Sequence, residues 1–448
     1  MEQLNQTESI DNLFNQILES EPKLVTNFVP EAASAAQQKT DFMAANIRNP
    51  NHLYDRLDSI DFEKSSASIM ASGERLLSHP DLDPKQSAIY GEFIDGYLKK
   101  TRMLELARGF KHADNPNEKA HLKNEYMQLN IELYGEPDKT TYESLLQEKL
   151  QKIDQKVVGE TGQRLKSELF DMLDHQSDGA QPERFKPSSQ TLEWMHGVVE
   201  TLYGDMLSHV PEKATFTNNE VAAIFTDIID QEFGESAQGW RVDIENAKAI
   251  NVKTAEKRIV IPENRADINA ADLKGLIVHE LGVHMMRSII GSETDLLPLR
   301  IGLNDYYDAE EGLGVVMEQA LKGKFRESGI DHYITAGLAY FDEKDFRDTF
   351  EIKWRLSALS LAADGTDVTD EMIAKAKNGA YGGVMRSFRG TDELPWFKDL
   401  SYYNGAMDVW KHLENIAGDD LKFMFVLMGK ANPANKQHEH ILLETRTL

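Results

Sequence analysis

Two histidines sit in an otherwise apolar run, Leu276-Ile277-Val278-His279-Glu280-Leu281-Gly282-Val283-His284-Met285-Met286-Arg287, and a glutamate directly follows the first. Neutral imidazole is the commonest metal ligand, and a glutamate beside a ligand histidine can act as general base toward a metal-activated water. The zinc-protease signature H-E-x-x-H sets its histidines one helical turn apart. Here the spacing is one residue longer. At about 100° of rotation per residue, a spacing of four leaves two side chains roughly 40° apart, and a spacing of five roughly 140°. His279 and His284 can therefore meet at one ion only where the helix widens, as in a π-bulge, a distortion that clusters at functional sites. Gly282 lies between them and removes a side chain where that distortion must be absorbed. The alternative is a buried helix carrying two unrelated histidines.

A catalytic zinc site needs a third protein ligand and an open position for water. The chain contains no cysteine, so any Zn2+ must be held by histidine and carboxylate. Asp308-Ala309-Glu310-Glu311-Gly312-Leu313-Gly314-Val315-Val316 offers an acidic pair leading into an apolar, helix-like run. One glutamate can reach the metal while the other caps the helix or holds a ligand histidine in place. Glu311 is the preferred ligand, because Glu310 is nearer the loop. Two solvated acids at a helix start are the plainer reading.

Composition narrows the partners. With 448 residues the chain is long enough for two or three domains, and 41% hydrophobic with 28% charged residues is ordinary for a soluble globular protein. Forty-nine basic against 75 acidic residues give a net charge of −26, which disfavours nucleic acid, because phosphate contacts need clustered cations. An acidic substrate would need the basic residues gathered in one groove. The polar start Met1-Glu2-Gln3-Leu4-Asn5 is unlike a signal peptide, and no apolar run approaches the length of a membrane span. A cytoplasmic location is expected, without membrane contact.

The elements that must position these residues are mostly helical, and the fold class expected is a predominantly helical α+β. Residues 1–174 read as an N-terminal helical region, with apolar spacing over Ile10 to Leu18, Phe42 to Ile47, Ala67 to Leu77, Ala88 to Leu106 and Glu118 to Leu133. These helices can form one wall of a substrate groove. His52, His79, His112 and His121 among them are scattered and read as surface or interface residues. A linker or long loop is expected over about 175–190, before a metallopeptidase domain over 190–448. Helices follow at Thr191 to Leu207 and at Asn218 to Phe233, the second capped by Asn218 or Asn219. Trp240 to Ile244, Ala249 to Val252 and Arg258 to Pro262 read as strands of a small antiparallel sheet, whose edge can take an extended peptide. The histidine helix is expected to start near Asn269, with Asp272 in its first turn.

Beyond Gly312 the chain is again helical, apart from a stretch where cations interleave with aromatics: Val384-Met385-Arg386-Ser387-Phe388-Arg389-Gly390, then Trp396-Phe397-Lys398-Asp399 and Tyr402-Tyr403-Asn404-Gly405. Arg386, Arg389 and Lys398 can bind a carboxylate, and Tyr403 can donate to a reacting oxyanion. Structural salt bridges and packed rings are the competing account. His438-Glu439-His440 lacks an apolar helical setting and reads as surface.

His279 to Arg287 as H-E-L-G-V-H-x-x-R, with Glu310 to Leu313 as E-E-G-L, resembles the microtubule-associated tyrosine carboxypeptidases. It equally resembles their bacterial relatives, the flavohaemoglobin expression-modulating QEGLA-motif proteins. Asn49-Pro50 with Tyr54, Leu133 to Asp138, Arg386 to Gly390, and Lys398-Asp399 with Tyr403 and Gly405 match further landmarks of that family, so the resemblance covers most of the chain. It implies a zincin-like metallopeptidase core with H-E-x-x-x-H on the active-site helix. His279, His284 and the glutamate of E-E-G-L would be zinc ligands, and Glu280 the base. The implied activity is that of a carboxypeptidase, which in eukaryotic members removes the C-terminal tyrosine of α-tubulin. Gly314 stands where the family usually has alanine, and Val283 where threonine is usual.

The reading is therefore a zinc carboxypeptidase acting on a protein or peptide C-terminal tail. Zn2+ would lie on His279, His284 and Glu311, with Glu280 as base and Tyr403 at the oxyanion. Arg287, Arg386, Arg389 or Lys398 would meet the terminal carboxylate, with Arg287 alternatively a brace behind His284. The oligomeric state is not specified by these motifs. The alternatives are a non-catalytic metal-containing binding or regulatory protein, and a zinc endopeptidase.

Overall fold

Helices start where the sequence supplies caps. The computed structural model describes residues 8–22, 32–50, 57–156, 158–173, 184–247, 249–389 and 391–444. The N-terminal half is helical: α1 (Ile10–Ser20), α2 (Ala32–Met43), α3 (Phe62–Leu77), α4 (Pro84–His112), α5 (Pro116–Tyr134), α6 (Lys139–Lys156) and α7 (Glu160–Met172). Asp83 accepts from the backbone of Lys85 and Gln86, Gln86 answers with a bond from the Asp83 N–H, and Pro84 sits in the first turn of α4. The helix expected over Phe42 to Ile47 instead ends at Met43. Phe42 is its anchor, in edge contact with Phe346 and Phe350 and under the Arg347 guanidinium at 3.5 Å.

The second half runs α8 (Ser189–Ser208), β1 (Thr215–Phe216), α9 (Asn218–Ile228), β2 (Arg241–Glu245), β3 (Asn251–Lys253), β4 (Arg258–Pro262) and β5 (Ile268–Asn269). The histidine helix α10 follows over 270–292, then α11 (Pro298–Ile301), α12 (Tyr307–Leu321), α13 (Ile330–Tyr340), α14 (Phe346–Leu361), α15 (Asp370–Phe388), α16 (Ser401–Asn415), α17 (Asp420–Val426) and α18 (Lys436–Glu444). Predominantly helical α+β is the class observed. Thr217, one residue before the expected caps, opens α9 in a capping box with Glu220. Of the expected connector, 175–183 lies outside the described residues. Just beyond it, Arg184 bonds Glu327 at 2.6 and 2.9 Å and Ser144 at 2.8 Å.

The small sheet is mixed, where sequence patterning suggested antiparallel. Its order is β2-β4-β3: β3 pairs antiparallel with β4, but β2 pairs parallel with it. The cause is β4, whose residues Ile259 to Pro262 are all buried. An apolar strand takes the centre, so the chain leaving β2 crosses over to place β3 on the far side. Arg258 on β4 ties the parallel pair through Asp243 at 2.9 Å and Glu245 at 2.6 Å.

Three apolar cores organise the chain. One joins Leu104, Tyr126, Tyr142 and Leu169 of the N-terminal helices to Tyr333, Phe350, Phe388 and Phe397. A second joins Phe14, Tyr90 and Phe93 to Leu299, Leu303 and Met428. The third packs Val199, Tyr203, Phe225, Ile259 and Ile261 around Ile277, Val278, Leu281, Val283, Leu313, Met317 and Trp410. This last core carries the histidine helix. The histidines expected at a surface or interface, and the pair at 438 and 440 expected at the surface, divide. His79 and His438 are buried, His112 and His121 are exposed, and His52 lies outside the described residues. His438 accepts the Asn432 N–H on Nδ1 at 2.9 Å, which accounts for its burial; His440 is exposed as expected.

His209, after the end of α8, has Asp227 at 2.7 Å from Nδ1 and Glu232 at 2.7 Å from Nε2. Both ring nitrogens donate only in the imidazolium form, and the bonds to Glu232 and Asp227 raise its pKa. Its contribution to stability is full below the ordinary histidine value of about 6.5 and is lost as pH rises through the raised value. Melting midpoints measured from pH 6 to 9 should fall more steeply for wild type than for His209→Gln; parallel curves would show that the His209 pair does not contribute.

Candidate active site

Asn269 caps α10, accepting the Asp272 N–H at 2.9 Å. After two turns of α-helix, Ile277–Met285 winds as a π-helix, and α-helix resumes at Met286. This is the widening that a five-residue histidine spacing demands. The imidazoles of His279 and His284 face each other with centroids 4.8 Å apart. Gly282 is needed for packing: a Cβ there would lie 2.6 Å from the Tyr203 ring. Tyr203, fully buried on α8, donates its hydroxyl to the Gly282 carbonyl at 3.0 Å. That bond satisfies a backbone acceptor within the distorted ladder.

The facing element is α12. It begins at Tyr307, so both glutamates lie inside the helix and neither caps it. Donor atoms of His279, His284 and Glu311 all fall within 4.8 Å of one another. Glu310 points elsewhere: its Oε1 accepts from His284 Nδ1 at 2.9 Å and from Lys430 Nζ at 2.6 Å, and its Oε2 pairs with Arg287. Glu318 does for His279 what Glu310 does for His284, meeting Nδ1 at 2.6 Å. Both Nδ1 atoms are thereby committed to carboxylates, leaving Nε2 of each ring for a cation. Gly314 makes room for one of them: a Cβ there would lie 2.6 Å from His279 Nε2. The donor set suits zinc, with two imidazole nitrogens and one carboxylate.

Electrostatics favour a cation among these donors. Burial opposes a charge on His279, but the bond to Glu318 and the charges of Glu280, Glu318 and Glu311 outweigh it and push its pKa up to about 9. The same carboxylates favour a metal cation there, which must displace the second imidazole proton to bind. Glu310 is fully buried, yet Lys430, Arg287 and His284 hold its pKa far below the usual carboxylate range. Glu280 is 8% exposed and, unlike the other three glutamates, makes no hydrogen bond or ion pair among the described residues.

The remaining sequence candidates separate. Arg287 is 1% exposed, and its guanidinium is taken by Glu310 and by the Ala431 carbonyl at 2.6 Å. Arg386 grips both oxygens of Asp399, at 2.6 and 2.9 Å, and donates to the Tyr402 hydroxyl at 2.9 Å, with its side chain 38% exposed. Arg389 adopts a left-handed backbone, φ 50°, and stacks on Trp396 at 4.2 Å. Lys398 meets the Tyr307 hydroxyl, which donates to Glu311 Oε1 at 2.8 Å; burial lowers its pKa to about 8. The Tyr403 hydroxyl lies 3.4 Å from Glu327, and its ring packs against Tyr333.

Sequence reading missed Glu318, Tyr307 and Lys430. Two of them left a signal. Positions 307, 311, 314 and 318 step by four, three and four, a single stripe on one helix face. Lys430 left none. α4 packs against the segment that precedes α12: a Cβ on Gly96 would strike Asn304, whose side chain donates to the Glu92 carbonyl at 2.6 Å.

If the His279–His284–Glu311 cluster takes up added zinc, Glu318→Gln should weaken that uptake roughly 10- to 100-fold in chelator competition, because the His279 tautomer and orientation lose their partner. Glu310→Ala should cost about 3–5 kcal/mol in denaturant unfolding, because two buried cations are left unpaired. A change below about 1 kcal/mol would remove Glu310 from the centre of the network.

Among the described residues no helix is long and apolar enough to cross a membrane. No curated protein matches the chain. Residues 182–441, which are 260 of its 448, match the model of the family described as microtubule-associated tyrosine carboxypeptidase. That span carries the histidine helix, α12 and the Arg386–Asp399 pair, and the chain belongs to the microtubule-associated tyrosine carboxypeptidase family.

Proposed function

We propose that the chain is a zinc-dependent carboxypeptidase, with Zn2+ held by His279, His284 and Glu311. The observation that carries this reading is the convergence of those three donors within 4.8 Å on a π-wound helix, beside a glutamate with no hydrogen-bond partner among the described residues. A zinc ion there supplies Lewis acidity toward the scissile carbonyl and the attacking water. Glu280 takes a proton from that water on its carboxylate and delivers it to the departing amine nitrogen. Freedom from other hydrogen bonds suits it to both transfers.

Exopeptidase action requires a receptor for the terminal carboxylate. Arg386 and Arg389 lie near one acid, Asp399, which leaves one positive charge in excess. Arg386 is the better receptor, since it keeps an open edge while Asp399 and Tyr402 hold its guanidinium flat. Arg287 is a brace behind Glu310 and stays clear of substrate. The substrate is a protein or peptide tail, and tyrosine is the first C-terminal residue to test. The setting proposed is cytoplasmic.

Elemental analysis should find about one zinc per chain, lost in His279→Ala and Glu311→Ala. Glu280→Gln should keep the metal and lose at least a hundredfold in kcat on a tyrosine-ended peptide. A C-terminally amidated peptide should be refused. Cleavage of the amide would make the enzyme an endopeptidase, and unchanged function in Glu280→Gln would make it a binder.

A further inference from the structure

We infer that Tyr307 and Lys398 are positioning residues for Glu311: Tyr307 fixes the carboxylate, and Lys398 serves Tyr307 instead of the substrate's terminal carboxylate. The inference rests on the zinc reading above. Its observations are independent of the histidines.

Glu311 has two carboxylate oxygens, and the Tyr307 hydroxyl donates to Oε1 at 2.8 Å. The two residues are four apart on α12, on the stripe that also carries Gly314 and Glu318. An O–H donor on one oxygen leaves the other as the single ligand atom and sets the plane of the group. Bonds from neutral donors to an ionised carboxylate are among the stronger hydrogen bonds, and a phenol donates better when a cation contacts its oxygen. Lys398 supplies that cation. Its ammonium meets the Tyr307 hydroxyl and also lies 3.9 Å from the centre of the Tyr307 ring and 5.8 Å from that of Trp396. The adjacent acid, Asp399, is already held through both oxygens by Arg386. Lys398 makes no ion pair among the described residues, so its charge is directed through Tyr307 onto Glu311.

The arrangement inverts the bracing of the histidines. Each imidazole is backed by a carboxylate, which makes it a stronger donor; the carboxylate ligand is backed by a phenol and an ammonium, which restrain its charge. The assembly holds four carboxylates, Glu280, Glu310, Glu311 and Glu318, against three cations, Arg287, Lys398 and Lys430. With Lys398 committed in this way, the receptor for the terminal carboxylate falls to Arg386.

The test compares Lys398→Met, Lys398→Arg and Tyr307→Phe in the full chain. Zinc affinity is read by competition with a chromogenic chelator, and KM and kcat on a free-acid peptide are read at saturating zinc. Lys398→Met and Tyr307→Phe should each weaken zinc roughly 10- to 100-fold, with KM within about twofold of wild type. Lys398→Arg, which keeps the charge, should recover most of the affinity and guards against a folding defect in the methionine variant. Unchanged zinc affinity with KM raised more than about tenfold by Lys398→Met would make Lys398 a substrate receptor and overturn the inference. Wild type that binds zinc while both variants bind it equally well overturns the inference alone. Wild type that binds no zinc overturns the parent reading with it.

Discussion

A five-residue histidine spacing is incompatible with one metal in an α-helix, and the local winding from Ile277 to Met285 resolves that conflict. The rest of the site depends on this segment. A widened turn has poorer backbone bonds than the α-helix it replaces, so it persists only where its surroundings fix it. Here they do so from several directions. Val278, Leu281, Val283 and Met285 are fully buried, Tyr203 bonds the Gly282 carbonyl, and α12 presses Gly314 against the His279 ring. The apolar run around the histidines is the anchorage of this rare winding as well as a core.

α12 answers the π-helix residue for residue. Glu310 holds one histidine, Glu318 the other, Glu311 joins them, and Gly314 leaves room for a ring. The helix can approach so closely because it also crosses α16 at Gly312 and Gly405, where the backbones touch and any side chain would collide. Glu310 extends the coupling to the C-terminal segment through Lys430 and to the Ala431 carbonyl through Arg287. A buried carboxylate with two cations and an imidazole costs much in desolvation. Its return here is geometry, since three distant stretches are registered on one oxygen pair.

Much of this was legible in the sequence because its cause was local. The histidine spacing implied the widened helix, Asn269 and Asp272 marked its start, and the acidic pair indicated which element faces it. What was not legible depended on the path of the chain. The parallel pairing of β2 with β4 follows from a crossover that no residue in 246–250 announces. Lys430 lies in a loop, 120 residues from the glutamate it meets. The arginines at 386 and 389 read alike from their aromatic neighbours, yet Asp399 and Tyr402 hold one and Trp396 stacks on the other. Tyr403 neighbours the cationic stretch in sequence, but the nearness of its hydroxyl to Glu327, 76 residues away, has no signature in that stretch.

The two departures from the family pattern differ in weight once the geometry is known. Val283 is fully buried and replaces a usual threonine with an apolar side chain of similar volume, in a core that needs no hydroxyl. Gly314 bears on the proposed metal site, because the position adjoins Nε2 of His279, the ring atom that the bond to Glu318 leaves free. An alanine in this backbone would press on the imidazole at Nε2 and its two neighbouring carbons, while Glu318 restrains it at Nδ1. The ring or the helix would have to give by several tenths of an ångström. In this chain the His279 ring is seated deeper against α12 than an alanine would permit. Its position is set jointly by a carboxylate that pulls and a glycine that yields, and both lie on the stripe that also presents Glu311.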